Sequence, residues 1–352
     1  MMRPAPARPA GPYGEALVDP EGWVWLPYDL PHLPKLKAKW SRLSSKREVR
    51  HFQRRAFKWR LPDSDELHIV NGMGVTLGDS IIGMNALAWL KTRHPRLCIR
   101  LYRTPHAPVY VERLYALARP IVAHVSYLPV PVNGLPDDAI DLSDFLYWPA
   151  FDSEPMVDLF IRNLGMSPHT VPASAKCNRW LSQLRLPMLP ARWRDLTYVL
   201  FCDSASTPLR SVPPEFLYAM VDRIWHAYGL PVCGFQPILH PHYQDVSAHS
   251  RSLDQYLAWV RGAGVLVGVD SSAIHAASGF GVPTLAFFAS IDPLLRVRDY
   301  PLCRVLDLRT SVTQGLHESN DPGVLLEVKR IWRRVVERDE IPWPPPVCRH
   351  HS

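Results

Sequence analysis

The chain has 352 residues, 47% of them apolar, which exceeds what one ordinary domain needs and can fill two cores. Its net charge of +7 is uneven: residues 31–60 hold eleven Lys and Arg against Glu48 alone, +10, so the remainder carries −3. This excludes a uniformly basic, nucleic-acid-coating chain. Six scattered cysteines without a C-x-x-C pair exclude a zinc ribbon or disulfide framework, and no apolar run approaches the ~20 residues of a membrane span.

Residues 1–20 are rich in Pro, Ala and Gly and carry no apolar signal core, so they read as disordered at the start of a cytoplasmic protein. The aromatic, proline-broken segment 21–32 reads as an irregular arm. Residues 35–60 have the composition of a basic helix with Trp40, Leu43, Phe52 and Phe57 as its apolar residues. Such a helix suits an anionic membrane surface, a nucleic acid or an acidic partner; its aromatic residues favour membrane or partner contact, and the membrane reading would place the protein peripherally on the inner face of a membrane.

From Leu67 strands and helices alternate. "ELHIVNG", "RLCIRLYR", "IVAHVSYLP" and "DDAIDLSDFL" read as strands. "GDSIIGMNALAWLKTRHP", "PVYVERLYALA" and "EPMVDLFIRNLG" read as helices. Four prolines between 165 and 195 interrupt the pattern and mark a linker. The alternation then restarts with strands at "LTYVLFC", "LPVCGF", "VLVGVD" and "PTLAFFA", and an edge strand at "CRVLDL". Helices lie between them, and a long one, "DPGVLLEVKRIWRRVVERD", precedes a polyproline-like tail. Strands alternating with helices predict parallel sheets covered on both faces. The expected organisation is a basic extension (1–60) and two Rossmann-like domains (61–190 and 191–352).

Ligands of open parallel sheets bind beyond the carboxyl ends of strands. Gly72, Gly74 and Gly78 form a glycine-rich loop at the first such end, and Asp79 follows at an expected helix N-cap. A carboxylate there repels a pyrophosphate, so a nicotinamide site is a poor reading. Asp79 is either a cap or a general base. In the second half, "CDSASTPLRSVPPEF" brings Ser204, Ser206 and Arg210 to a helix start, a pattern suited to phosphate or to a plain capped loop. Asp270 closes the strand "VLVGV". Ser271 or Ser272 caps the next helix, which carries His275.

Together these segments resemble glycosyltransferase family 9, the ADP-heptose:lipopolysaccharide heptosyltransferases. "DSSAIHAASGFGVPTLAFF" is similar to the family's C-terminal signature, and "HIVNGMGVTLGDSIIG" to its N-terminal motif. The resemblance spans roughly residues 67–336. It implies the GT-B fold, two Rossmann-like domains facing across a cleft. It also implies inverting transfer of a sugar, a heptose first of all, from an ADP-linked donor to a hydroxyl of a lipopolysaccharide core, glycan, glycolipid or protein. Asp79 falls on the catalytic aspartate, and Arg210 stands where the family has its phosphate-binding lysine. Asp270, Ser271, Ser272 and His275 fall on the donor side, with Gln236 near the ribose. No metal or other cofactor is implied. An epimerase or hydrolase of the same fold, or a non-catalytic nucleotide-sugar binder, are the alternative readings.

Overall fold

The computed structural model describes residues 14–33, 39–51, 65–338 and 340–347. The chain forms two compact units, 1–176 and 177–352.

The first unit carries a parallel sheet of β4 (Glu66–Val70), β5 (Cys98–Arg103), β6 (His124–Tyr127) and β8 (Ile140–Asp141), in the order β6-β5-β4-β8. Its first strand is therefore internal, and the connection reverses direction between β4 and β8. Helices α1 (Leu77–Arg93) and α2 (Val109–Leu117) form the crossovers from β4 to β5 and from β5 to β6, and α3 (Met156–Asn163) follows β8. α1 starts at Thr76, whose hydroxyl accepts the Asp79 N–H at 3.4 Å. It ends with Lys91 and Arg93 in the last turn, where cations suit the helix dipole.

A second, four-stranded sheet in this unit differs from the sequence expectation. β1 (Leu17–Val18), β2 (Trp23–Trp25), β3 (Ser41–Arg42) and β7 (Val130–Pro131) pair antiparallel in the order β3-β1-β2-β7. Residues 14–20 are thus ordered, and the described part of 35–60 is strand and 3₁₀ turn rather than helix. The physical reason is burial. Ala16, Val18, Val24, Leu26, Leu43 and Val49 form one apolar cluster with Val70 and Leu128. The nearby charges are matched locally: Arg42 faces Glu15 at 3.7 Å and Arg47 faces Asp137 at 3.0 Å. Arg50 bridges Ile140, adding one residue pair beside β8. Residues 1–13, 34–38 and 52–64, with Phe52 and Phe57, lie outside the described residues.

The second unit has a six-stranded parallel sheet of β9 (Val199–Cys202), β10 (Val232–Gly234), β11 (Tyr243–Asp245), β12 (Val265–Val269), β13 (Thr284–Phe288) and β14 (Cys303–Asp307). Its order is β11-β10-β9-β12-β13-β14, the doubly wound arrangement. β12 and β13 are buried at every position, as expected for strands covered on both faces. Helices α4 (Ala191–Arg194), α5 (Leu217–Tyr228), α6 (Leu253–Gly262), α7 (Ser272–Phe280) and α8 (Pro322–Glu337) surround it. α8 buries Val328, Ile331, Trp332 and Val335, one stripe at helical spacing.

The units divide between 176 and 177 rather than at the expected 190. The proline-rich stretch after Cys177 is not a free linker. Trp180, Leu181 and Leu189 are buried, and buried Trp193 packs edge-on against Tyr198 and Trp259. Among the described residues no helix is long and apolar enough to cross a membrane.

Candidate functional site

Each parallel sheet has a point where neighbouring strands lead their connections in opposite directions, and that crevice is where such folds bind ligands. In the second unit it lies between β9 and β12. Asp203 follows β9 and Asp270 follows β12. The loop after β9 closes on itself: Val212 N–H donates to Asp203 O at 2.8 Å, and Ser211 Oγ accepts from Ala205 N–H at 3.0 Å. This presents Arg210 from a 3₁₀ turn. Its guanidinium reaches Asp270 Oδ2 at 3.2 Å, Asp270 O at 3.3 Å and Ser206 Oγ at 2.6 Å. Arg210 Nε and Thr207 Oγ1 are buried yet have no hydrogen-bond partner. Two buried polar atoms left open at one strand end are what an anion with several oxygens would satisfy.

Asp203 extends this site. Burial pushes its carboxyl up to about 6, and the Gln236 amide donates to it. Gln236 is in turn held by Tyr243, whose hydroxyl donates to the Gln236 carbonyl at 2.7 Å. Ser271 takes the N-cap position of α7 without a side-chain bond, and Ser272 Oγ stands 3.5 Å from Tyr256 Oη. Ser204 is exposed on the loop.

His275 is buried, and burial lowers it to about 4, so it is neutral at pH 7. Asn178 Nδ2 donates to Tyr300 Oη at 2.7 Å and to His275 O at 3.1 Å. Tyr300 then has its proton for His275 Nδ1, 2.9 Å away, which assigns the remaining N–H to Nε2. A histidine kept neutral by burial loses folded-state stability as pH falls from 6.5 toward 4, because the unfolded chain takes up the proton first. We expect this slope, on the order of 2 kcal/mol across the window, to flatten in His275→Gln. Thermal unfolding at pH 7, 5.5 and 4.5 measures it, and equal slopes in the two proteins would disprove the assignment.

In the first unit the crevice lies between β4 and β8. The loop after β4 takes left-handed backbone at Asn71, Gly72 and Gly74, with φ of 66°, 38° and 79°. Arg103, buried at the end of β5, donates to Gly74 O at 3.0 Å, pairs with Glu112 and stacks on Tyr115 with 3.7 Å to the ring centroid. Tyr115 Oη accepts Met73 N–H at 3.2 Å and donates to Ser80 Oγ at 3.0 Å. The loop is therefore clamped from two sides.

Asp79 is the third residue of α1 rather than its cap, because Thr76 holds that place. Gly78 lies one residue earlier in the same turn. Asp79 is half-buried, in the first turn, where negative charge is favoured. Gly74 stands beside it. A Cβ on Gly74 would lie 3.5 Å from Asp79 Cβ and 2.9 Å from Phe145 Cε1. Gly74→Ala should therefore cost about 1–3 kcal/mol of stability, from positive φ and overpacking together. Denaturant unfolding measures it, and a loss below ~0.5 kcal/mol would show that the loop yields freely.

No protein-family model and no curated protein matches the chain. Among solved structures, the glycosyltransferase family 9 protein from Veillonella parvula DSM 2008 covers 81% of this chain and 100% of its own. It superposes with a TM-score of 0.51 at 14% identity. The fold is similar to that of a family 9 glycosyltransferase. The E. coli ADP-heptose lipopolysaccharide heptosyltransferase II gives 0.49 at 15% identity, over 77% of this chain and 99% of its own.

Within this glycosyltransferase-like fold, Arg210, Ser206, Asp270 and Gln236 stand at the carboxyl edge of the second sheet. His275 is more deeply set, enclosed by Tyr300 and Asn178. Sequence reasoning missed Asp203, although it follows an apolar strand in the same way as Asp270. Tyr300 and Asn178 had no local signal, because each acts on His275 from a distant segment.

Proposed function

We propose that the protein is an inverting glycosyltransferase that moves a sugar from a nucleoside-diphosphate donor to a hydroxyl acceptor. The observation that carries this is the open guanidinium at the crevice of the second sheet. Arg210 holds Asp270 and Ser206 while its Nε and the neighbouring Thr207 hydroxyl remain unpartnered. A departing diphosphate supplies the missing acceptors, and its developing charge is met by a fixed cation.

In this reading the acceptor oxygen bonds to the anomeric carbon as its proton passes to the Asp79 carboxylate. The bond from that carbon to the phosphate oxygen breaks on the opposite face, and the nucleoside diphosphate leaves with the electron pair. Asp270 contacts sugar hydroxyls, and Asp203 with Gln236 lies on the nucleoside side. ADP-heptose is the first donor to try, because the sequence motifs resemble enzymes that use it. The acceptor is a glycan, glycolipid or protein hydroxyl.

Calorimetric titration with ADP, UDP and GDP tests the proposal. Micromolar binding of ADP that is weakened in Arg210→Ala supports it. A preference for UDP or GDP changes the donor, and binding of none of the three refutes the transferase reading.

A further inference from the structure

The carboxyl edge of the first sheet carries a second cluster of ionisable groups that the transfer chemistry does not use. β5 ends at Arg103, and Thr104, Pro105 and His106 follow. Against this turn lies the 3₁₀ segment Pro27–His32, which precedes β4 in the chain. Asp29 of that segment is fully buried. Its carboxylate accepts from Leu26 N–H at 3.3 Å, from the Thr104 hydroxyl and from His106 Nδ1 at 2.9 Å. A carboxylate only accepts, so Nδ1 donates to Asp29 and Nε2 is left outside that bond. The His106 side chain is still 33% exposed. His32 lies flat on its ring, with centroids 4.4 Å apart and planes at 15°, and Tyr28 continues the row at 6.1 Å from His32. Tyr28 is 40% exposed, and Tyr110, in the first turn of α2, is 51% exposed.

Stability alone does not explain this cluster. The N-terminal segment is already anchored by strand pairing and by its apolar cluster. A buried carboxylate–imidazole pair adds little to such an anchor, because desolvation offsets the attraction. What the pair achieves is an imidazole of fixed orientation at a strand end. That strand end adjoins the Asp79 loop: Val70 is in register with Tyr102, and Arg103 bonds Gly74 O. An exposed aromatic ring, Tyr28, beside a stacked imidazole pair with a ring nitrogen outside its carboxylate bond matches a pyranose, whose C–H face suits the tyrosine ring and whose hydroxyls suit the imidazole nitrogen.

We propose that Tyr28, His32 and His106, oriented by Asp29, form a subsite for a pyranose ring of the glycan acceptor, with a ring hydroxyl hydrogen-bonded to His106 Nε2. This rests on the glycosyl-transfer reading. It adds that the segment before the first parallel strand builds part of the acceptor side.

The test uses the full chain labelled with ¹⁵N at histidine, titrated with deacylated lipopolysaccharide core oligosaccharide and separately with ADP. The oligosaccharide is expected to move the His106 Nε2 resonance, whereas ADP is not. His106→Gln and Tyr28→Ala should each weaken oligosaccharide binding by about tenfold, as for one lost hydrogen bond or stacking contact, with ADP affinity unchanged. Tyr28 makes no bond to Asp29, so its variant keeps the test valid if His106→Gln disturbs folding. Saccharide binding that leaves His106 unmoved overturns the subsite, as does a chain that binds ADP but no saccharide. A chain that binds neither overturns the transfer reading with it.

Discussion

Asp79→Asn should lower sugar transfer by about 10³-fold while leaving the affinity for ADP unchanged. Asparagine keeps the backbone N–H that bonds to Thr76, so α1 still starts at the same residue. It is nearly isosteric and removes the charge and the group that accepts a proton. The loop that holds it stays clamped by Arg103 and Tyr115, which makes a change of fold a poor explanation for lost activity. Release of ADP from ADP-heptose in the presence of acceptor measures transfer. Activity within tenfold of the parent would falsify the base assignment and redirect attention to other groups at this sheet edge.

Arg210→Ala should have the second largest effect, in two separable parts. Affinity for the nucleoside diphosphate should fall by about 10- to 100-fold, the loss expected for a charge-assisted contact to an anion. Stability should fall by about 2 kcal/mol, because Asp270 stays buried without its cation. That figure is set below the value for a fully buried pair, since Arg210 retains 22% side-chain exposure and Asp270 only 5%. Arg210→Lys separates the two. It restores a charge but not the fork that spans Asp270 and Ser206, so binding should recover only in part. Equal ADP affinity in parent and alanine variant would remove Arg210 from the diphosphate site.

The parallel sheets were legible because their strands are apolar runs bounded by turn residues. β12 and β13, with their Gly281-Val282-Pro283 turn, are the clearest case. β11 was not legible, since Tyr243–Asp245 is a short, half-buried edge strand with polar residues. The N-terminal sheet escaped for a related reason. Strands of two or three residues show no period, and their partner, Val130–Pro131, lies far along the chain. A boundary at residue 60 would cut three strands from that sheet. At the site, residues adjacent to a strand end could be found from sequence, as Asp270 and Arg210 were. The rank of Asp79 within its helix could not, because Thr76 competes for the cap. His275 reads as a helix residue in sequence; burial keeps it neutral, and only Tyr300 and Asn178 show what holds it in place.

The pairing of Val24 with Val130 sets the order in which the protein can assemble during synthesis. The two residues are 106 positions apart by their numbers. At typical elongation rates the first strands wait roughly 5–20 s for that partner. The three strands available earlier, β3-β1-β2, are two or three residues each and lack most of the apolar cluster that covers them, which includes Val70, Tyr102 and Leu128. Leu17, Val18, Val24 and Leu26 therefore emerge from the ribosome well before the chain that buries them. The apolar face of this sheet is complete only once the segment around Leu128 and Val130 has joined it.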